Sequence, residues 1–181
     1  MRYSSPLRWP ALVAVLVMAI QCGTCWADSK ARIDAGSLDA LNSLREYSAT
    51  AGELLAKASA VLVFPDVVKM GFGAGGQYGE GSLLVNGEAV AYYATAGGRY
   101  GLESGGQTKS EVFLFMTDDA LHKFRNSRGW DVGSDARVVL LGSGAIDTRK
   151  ISQPVFAFIF SDKGMADTLT LEGRKITHIA R

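Results

Sequence analysis

Between Gly71 and Gly106 this chain places 12 of its 21 glycines within 36 residues, interleaved with aromatic and hydroxyl side chains. Nine of the twelve fall on odd positions (71, 73, 75, 79, 81, 87, 97, 101, 105). A strand sends alternate side chains to opposite faces, so an extended segment of this kind has one face of nearly bare backbone. Glycine inside a strand costs conformational entropy and packs nothing, and a run of them marks tight curvature or close approach by another element. The segment therefore predicts a strongly bent sheet.

The first 27 residues read as a secretory signal peptide. Arg2 and Arg8 form a basic start, Ala11 to Ile20 is an apolar core of ten residues, and Cys25-Trp26-Ala27 offers a small-x-small site, so cleavage is expected between Ala27 and Asp28. Ten apolar residues are too few for a bilayer, which takes about twenty, and this disfavours an uncleaved anchor. A lipid anchor on Cys22 or Cys25 is the other route, but Ile20-Gln21 and Gly23-Thr24 make poor lipidation boxes. Cleavage removes both cysteines, so the mature chain holds no disulfide and relies on its core. It also lowers Lys+Arg from 19 to 17 against 18 acids, a net charge of −1 that argues against bulk attraction to nucleic acid. Residues 28–181 have the size of one domain with a sizeable core, and no linker divides them.

The periodicity after a polar lead at 28–33 predicts a helix from about Asp34 to Ser59, with Leu38, Leu41, Leu44, Ala51, Leu54, Leu55 and Ala58 on one stripe and Gly52 as its weak point. Ala60 to Phe64 reads as a buried strand stopped by Pro65. Asn86-Gly87, between Ser82–Val85 and Glu88–Tyr93, is a strong hairpin signal, because a type I′ turn needs positive φ at both central residues. A short echo, Gly75-Gly76-Gln77-Tyr78-Gly79 and Gly97-Gly98-Arg99-Tyr100-Gly101, suggests neighbouring strands. Ser110–Met116 reads as a strand, and Thr117-Asp118-Asp119 as the cap of a helix that turns Leu121 and Phe124 inward and ends at Gly129. Val138–Leu141 and Val155–Phe160 read as strands, the second covered on both faces. Gly164-Met165-Ala166 reads as a short helical turn, and Leu169–Leu171 with Lys175–Ile179 as a closing hairpin around Glu172-Gly173. The expected class is α+β: a curved, glycine-rich, barrel-like antiparallel sheet, a long N-terminal helix and a short helix near 118–128.

Gly71-Phe72-Gly73-Ala74-Gly75-Gly76 matches a dinucleotide-binding fingerprint by letter. That reading requires a helix directly after the glycines, to aim its dipole at a pyrophosphate, and the pattern here continues as strand and hairpin. No cofactor is expected. The mature chain has two histidines, His122 and His178, with no metal-binding spacing, and no nucleophile elbow. Asp118 and Asp119 have sufficient work as acids at a helix N-terminus. The expected function is therefore not enzymatic.

The basic residues are grouped rather than scattered. Lys123, Arg125 and Arg128 crowd one helix end beside Trp130; Lys69, Arg99 and Lys109 punctuate the glycine region; Arg174, Lys175, His178 and Arg181 make the C-terminus basic. Such patches suit anionic headgroups, each near-surface cation contributing roughly 1 kcal/mol. Taken alone, they are better explained by helix-dipole complementation and ordinary surface solvation.

An ordered series of segments resembles the SYLF domain family, whose eukaryotic members include a yeast actin-binding protein and mammalian proteins that also carry an SH3 domain. The series runs from Lys57-Ala58-Ser59-Ala60-Val61-Leu62-Val63-Phe64-Pro65 through Lys69-Met70-Gly71-Phe72-Gly73-Ala74-Gly75-Gly76 and Tyr78-Gly79-Glu80-Gly81 to Tyr92-Tyr93. It continues with Gly105-Gly106-Gln107-Thr108-Lys109-Ser110, Leu114-Phe115-Met116-Thr117, Gly129-Trp130-Asp131-Val132-Gly133 and Leu171-Glu172-Gly173. The resemblance implies binding to membrane phospholipid, phosphoinositides in eukaryotic members, actin binding in some, and no enzymatic activity. In those members lipid binding is associated with a basic N-terminal segment; here that edge mixes Lys30, Arg32 and Arg45 with Asp28, Asp34, Asp39 and Glu46. With an export signal, the expected ligand is anionic phospholipid in general, at the periplasmic or envelope surface, with an envelope protein as the alternative partner and neither actin nor nucleic acid. The expected contact residues are Lys69, Arg99, Lys109, Lys123, Arg125, Arg128 and Trp130, with Phe72 or Trp130 entering the interface.

Overall fold

The computed structural model describes residues 29–69, 76–97, 108–135, 137–142, 153–166, 171 and 173–181. The signal-peptide and Ala27/Asp28 expectations, and those on Phe72, Arg99 and segment 167–170, lie outside the described residues. So does the side chain of Lys69.

Two helices come first, α1 (Lys30–Tyr47) and α2 (Ala49–Leu55). The sequence placed one helix here with its weak point at Gly52. The break falls at Ser48, whose extended backbone (φ −149°) leaves the helix while its hydroxyl accepts from the Ala51 amide. A capping serine offers the amides an alternative to the helical ladder. Gly52 lies inside α2. α1 also starts earlier than expected, at Lys30, because the Ser29 hydroxyl caps the Arg32 amide. Leu38, part of the predicted stripe, is 53% exposed.

The strands are β1 (Ala60–Lys69), β2 (Gln77–Val85), β3 (Glu88–Gly97), β4 (Lys109–Phe115), β5 (Trp130–Asp131), β6 (Val138–Leu140), β7 (Val155–Ser161), β8 (Gly164–Met165) and β9 (Arg174–Ile179). They form one sheet in the order β5-β9-β3-β2-β1-β4-β7-β6, with β8 added on β7, curled into a half-barrel. The sheet is mixed rather than wholly antiparallel, because β6 runs parallel to β7. Gly164 and Met165 are a strand hairpinned onto Ser161 and Phe160, not a helical turn. β9 pairs with β3 and β5.

The expected curvature is present, and its cause is visible at β1. Pro65 does not end that strand. The pairing with β2 shifts between Val63 and Val68, so β1 bulges and bends across its neighbour. A Cβ on Gly81 would stand 2.0 Å from the Val63 carbonyl oxygen and 2.6 Å from the Phe64 ring. Only a bare position admits that approach. The β2–β3 turn is also as expected, with Asn86 at φ 52° and Gly87 at φ 84°.

The sheet has a core on each face. On the outer face α1 and α2 bury Leu41, Leu44 and Leu54 against Val63, Leu114 and Phe158. Inside the curl, Leu62, Phe64, Phe113 and Phe115 meet Leu121 and Phe124 of α3 (Asp118–Asn126) and Trp130. Residues 155–160 are buried throughout, as their continuous apolar run requires. α3 starts where expected, with the Thr117 hydroxyl accepting from the Ala120 amide, and ends at Asn126, before Gly129.

Candidate functional site

Three regions carry chemistry: a cationic corner on the exposed side of α3, an acidic groove under α1, and a polar cluster inside the curl.

The corner is built by α3, β5 and β9. α3 turns Leu121 and Phe124 inward, leaving His122, Lys123 and Arg125 exposed, with exposed Arg128 just beyond its end. β9 adds exposed His178 on the face it shares with Ile176, and exposed Lys175 on its opposite face. A Cβ on Gly129 would lie 2.6 Å from the Lys175 Cε, so the lysine stem lies across the residue next to Arg128. His178 stands edge-on to Tyr93 at 5.4 Å. Burial raises the Tyr93 phenol, and the Arg125 charge opposes that shift. Asp119 is the counter-charge here, 2.8 Å from Lys123 in an exposed pair one helical turn apart. Such pairs contribute about 0.3–0.5 kcal/mol and leave the lysine available.

Two expected contact residues are not on this surface. Trp130 is 3% exposed, edge-on to Phe124 at 5.3 Å and close to Phe113 and Phe115. Its flat apolar ring closes the inner core, where aromatic pairs contribute about 0.5–1.5 kcal/mol beyond area burial. Lys109 is 9% exposed and sits on the inner face of β4, where its charge acts on Glu111. Lys69 ends β1, opposite Gln77. The C-terminal cations also divide. Arg181 bonds Glu80, which accepts the Tyr78 hydroxyl at 2.7 Å. Arg174 is wholly buried.

The groove runs between α1 and the ends of β1, β4 and β7, with a volume of about 720 Å³. Asp39, Asp66 and Asp162 line it with Ser43, Tyr47 and Phe160, and no Lys or Arg is among the described lining residues. Its potential repels anions. Among the described residues no three His, Cys, Asp or Glu side chains converge on a metal position, so these carboxylates are too dispersed for an ion.

The inner cluster was not legible beforehand as a site. Arg174 donates from one terminal nitrogen to Glu111 at 2.6 Å and from the other to Gln77 at 2.7 Å. Arg174 stands on β9, Gln77 on β2 and Glu111 on β4, so only the curl of the sheet brings them together. Arg174 pairs with Gly97, which in turn pairs with Gln77, so the guanidinium spans β3 to reach β2. Burial pushes the Glu111 carboxyl up, while Arg174 and Lys109 oppose that shift.

Compared with protein-family models and with curated proteins, the chain matches none. The fold defines a class, an α+β domain with a curled sheet, and the helix packed inside the curl carries exposed cations. Among the described residues no helix is long and apolar enough to cross a membrane.

Proposed function

We propose that this chain is an exported, non-enzymatic phospholipid-binding module that recognises anionic membrane headgroups from the periplasmic side. One observation carries the reading: Lys123, Arg125 and Arg128 stand exposed on and just beyond α3, and exposed His178 of β9 lies against Tyr93, the ring that also packs on Phe124 of α3. The SYLF-like order of its segments points the same way, and so does the signal-like leader. The contact is electrostatic and peripheral. Trp130 supports the corner from beneath.

The test is co-sedimentation of the chain with phosphatidylglycerol and with phosphatidylcholine vesicles. Binding is expected to the anionic vesicles alone. Replacing Lys123, Arg125 and Arg128 together with Gln removes about 3 kcal/mol at roughly 1 kcal/mol per cation, a loss on the order of a hundredfold. Unchanged affinity in that variant overturns the corner as the contact. Binding to neither vesicle, with capture of an envelope protein through the same three residues, favours a protein-interaction module.

A further inference from the structure

We infer that the groove beneath α1 binds a linear organic polyammonium, a chain of methylenes carrying separated ammonium groups. The site does not depend on the membrane contact proposed above. It lies between the C-terminal half of α1 and the ends of β1, β4 and β7. Its volume of about 720 Å³ falls within the range of small-molecule sites, about 300–1,000 Å³.

Three observations select the ligand. The first is charge without a counter-charge. Asp39 on α1, Asp66 on β1 and Asp162 just beyond β7 stand exposed around this one groove. None of them forms an ion pair among the described residues. The cations closest along the chain do not supply one: Arg45 donates to Asn42 at 3.1 Å, and Lys163 is not among the lining residues. Tyr47 is the last residue of α1, so the negative end of that helix dipole adds to the same potential. The second observation is spacing. Each carboxylate stands on a different element, and no three His, Cys, Asp or Glu side chains among the described residues converge on a metal position. A single metal ion needs oxygens gathered around one point. Ammonium groups held apart by a carbon chain need acceptors that are themselves apart, each taking its own charge-assisted hydrogen bond. The third observation is apolar surface among the acids. Tyr47 is 37% exposed and stands edge-on to Phe160, with ring centroids 5.9 Å apart, and Pro65 and Ala40 line the same groove. Methylenes between the ammonium groups cover that surface, and an ammonium over the Tyr47 ring gains a cation–π contact. A hydrated metal ion leaves the rings uncovered, and an anion is repelled.

The test is calorimetric titration of the chain with spermidine at fixed ionic strength, with propylammonium and magnesium as controls for charge alone. Saturable binding of one spermidine is expected, tighter than that of either control. The three aspartates are exposed, so replacing Asp39, Asp66 and Asp162 together with Asn leaves the core untouched, and thermal unfolding reports the fold of the variant separately. That variant is expected to bind spermidine about thirtyfold more weakly, at roughly threefold per exposed charge pair. Tyr47→Leu keeps an apolar cover over Phe160 but removes the ring, and it is expected to weaken spermidine about threefold while leaving magnesium unchanged. Absence of saturable spermidine binding overturns the proposal. Propylammonium or magnesium binding as tightly as spermidine also overturns it, because one charge would then suffice. Unchanged spermidine affinity in the triple Asn variant overturns the groove as the site.

Discussion

Arg174 crosses the interior of this protein to reach Glu111, and the pair is dry at both ends, with side chains 2% and 0% exposed. Removing one partner from such a pair leaves an unbalanced buried charge, whereas replacing both with apolar groups is often nearly neutral. Glu111→Gln is therefore expected to lose about 3–5 kcal/mol in denaturant unfolding, and Glu111→Leu with Arg174→Met to regain most of it. A double variant as unstable as the single would show that the pair itself is net stabilising. Tyr92 gives a pH prediction. Burial first, then the hydrogen bond from its hydroxyl to Asp34 at 2.7 Å, then the Asp34 charge push its phenol to about 12 from 10.0. The folded state keeps the proton after the unfolded chain has released it, so this stabilisation is complete below pH 10 and lost as pH rises toward 12. Tyr92→Phe should flatten the fall in stability across that window, measured by unfolding at a series of pH values. Neither partnership was legible locally, since Asp34 and Tyr92, like Glu111 and Arg174, are far apart in the chain and meet only through sheet register and curl.

Elements were most legible where a local rule and the fold agree. Thr117 caps α3, and Asn86-Gly87 turns the hairpin, because those residues satisfy nearby amides or adopt positive φ without help from elsewhere. Reading failed where a long-range partner overrode the local signal. Pro65 is a breaker by composition, yet the bulge carries it within β1, and its carbonyl accepts the Ser110 hydroxyl at 2.8 Å. Two glycine substitutions separate these cases. Gly52→Ala, with nothing within 4 Å of the new Cβ, should stabilise α2 by about 0.5–1 kcal/mol. Gly81→Ala should destabilise by about 3 kcal/mol or more, since its Cβ would strike the backbone of β1. Thermal unfolding of the two variants checks both signs, and a harmless Gly81→Ala would remove close strand approach as the reason for the bare face.

For the whole molecule, exposed Lys123, Arg125 and Arg128 gather on and just beyond α3, while the groove beneath α1 is lined by Asp39, Asp66 and Asp162. Attachment through the corner is expected to weaken steeply with salt, as the screening length falls from about 30 Å at 0.01 M to about 8 Å at 0.15 M. Vesicle affinity that is flat across that range would mean apolar insertion rather than headgroup attraction. The sequence by itself determined the class, the curvature and the capped helix near 118–126. Each follows from periodicity, from residue chemistry within a few positions, or from glycine's missing side chain. Only the tertiary structure decided that Trp130 and Lys109 turn inward, that Arg181 is tied to Glu80, that Lys175 lies across Gly129, and that Arg174 meets Glu111. Those outcomes depend on which strands the curl brings face to face, and that is a property of the closed sheet rather than of any stretch of chain.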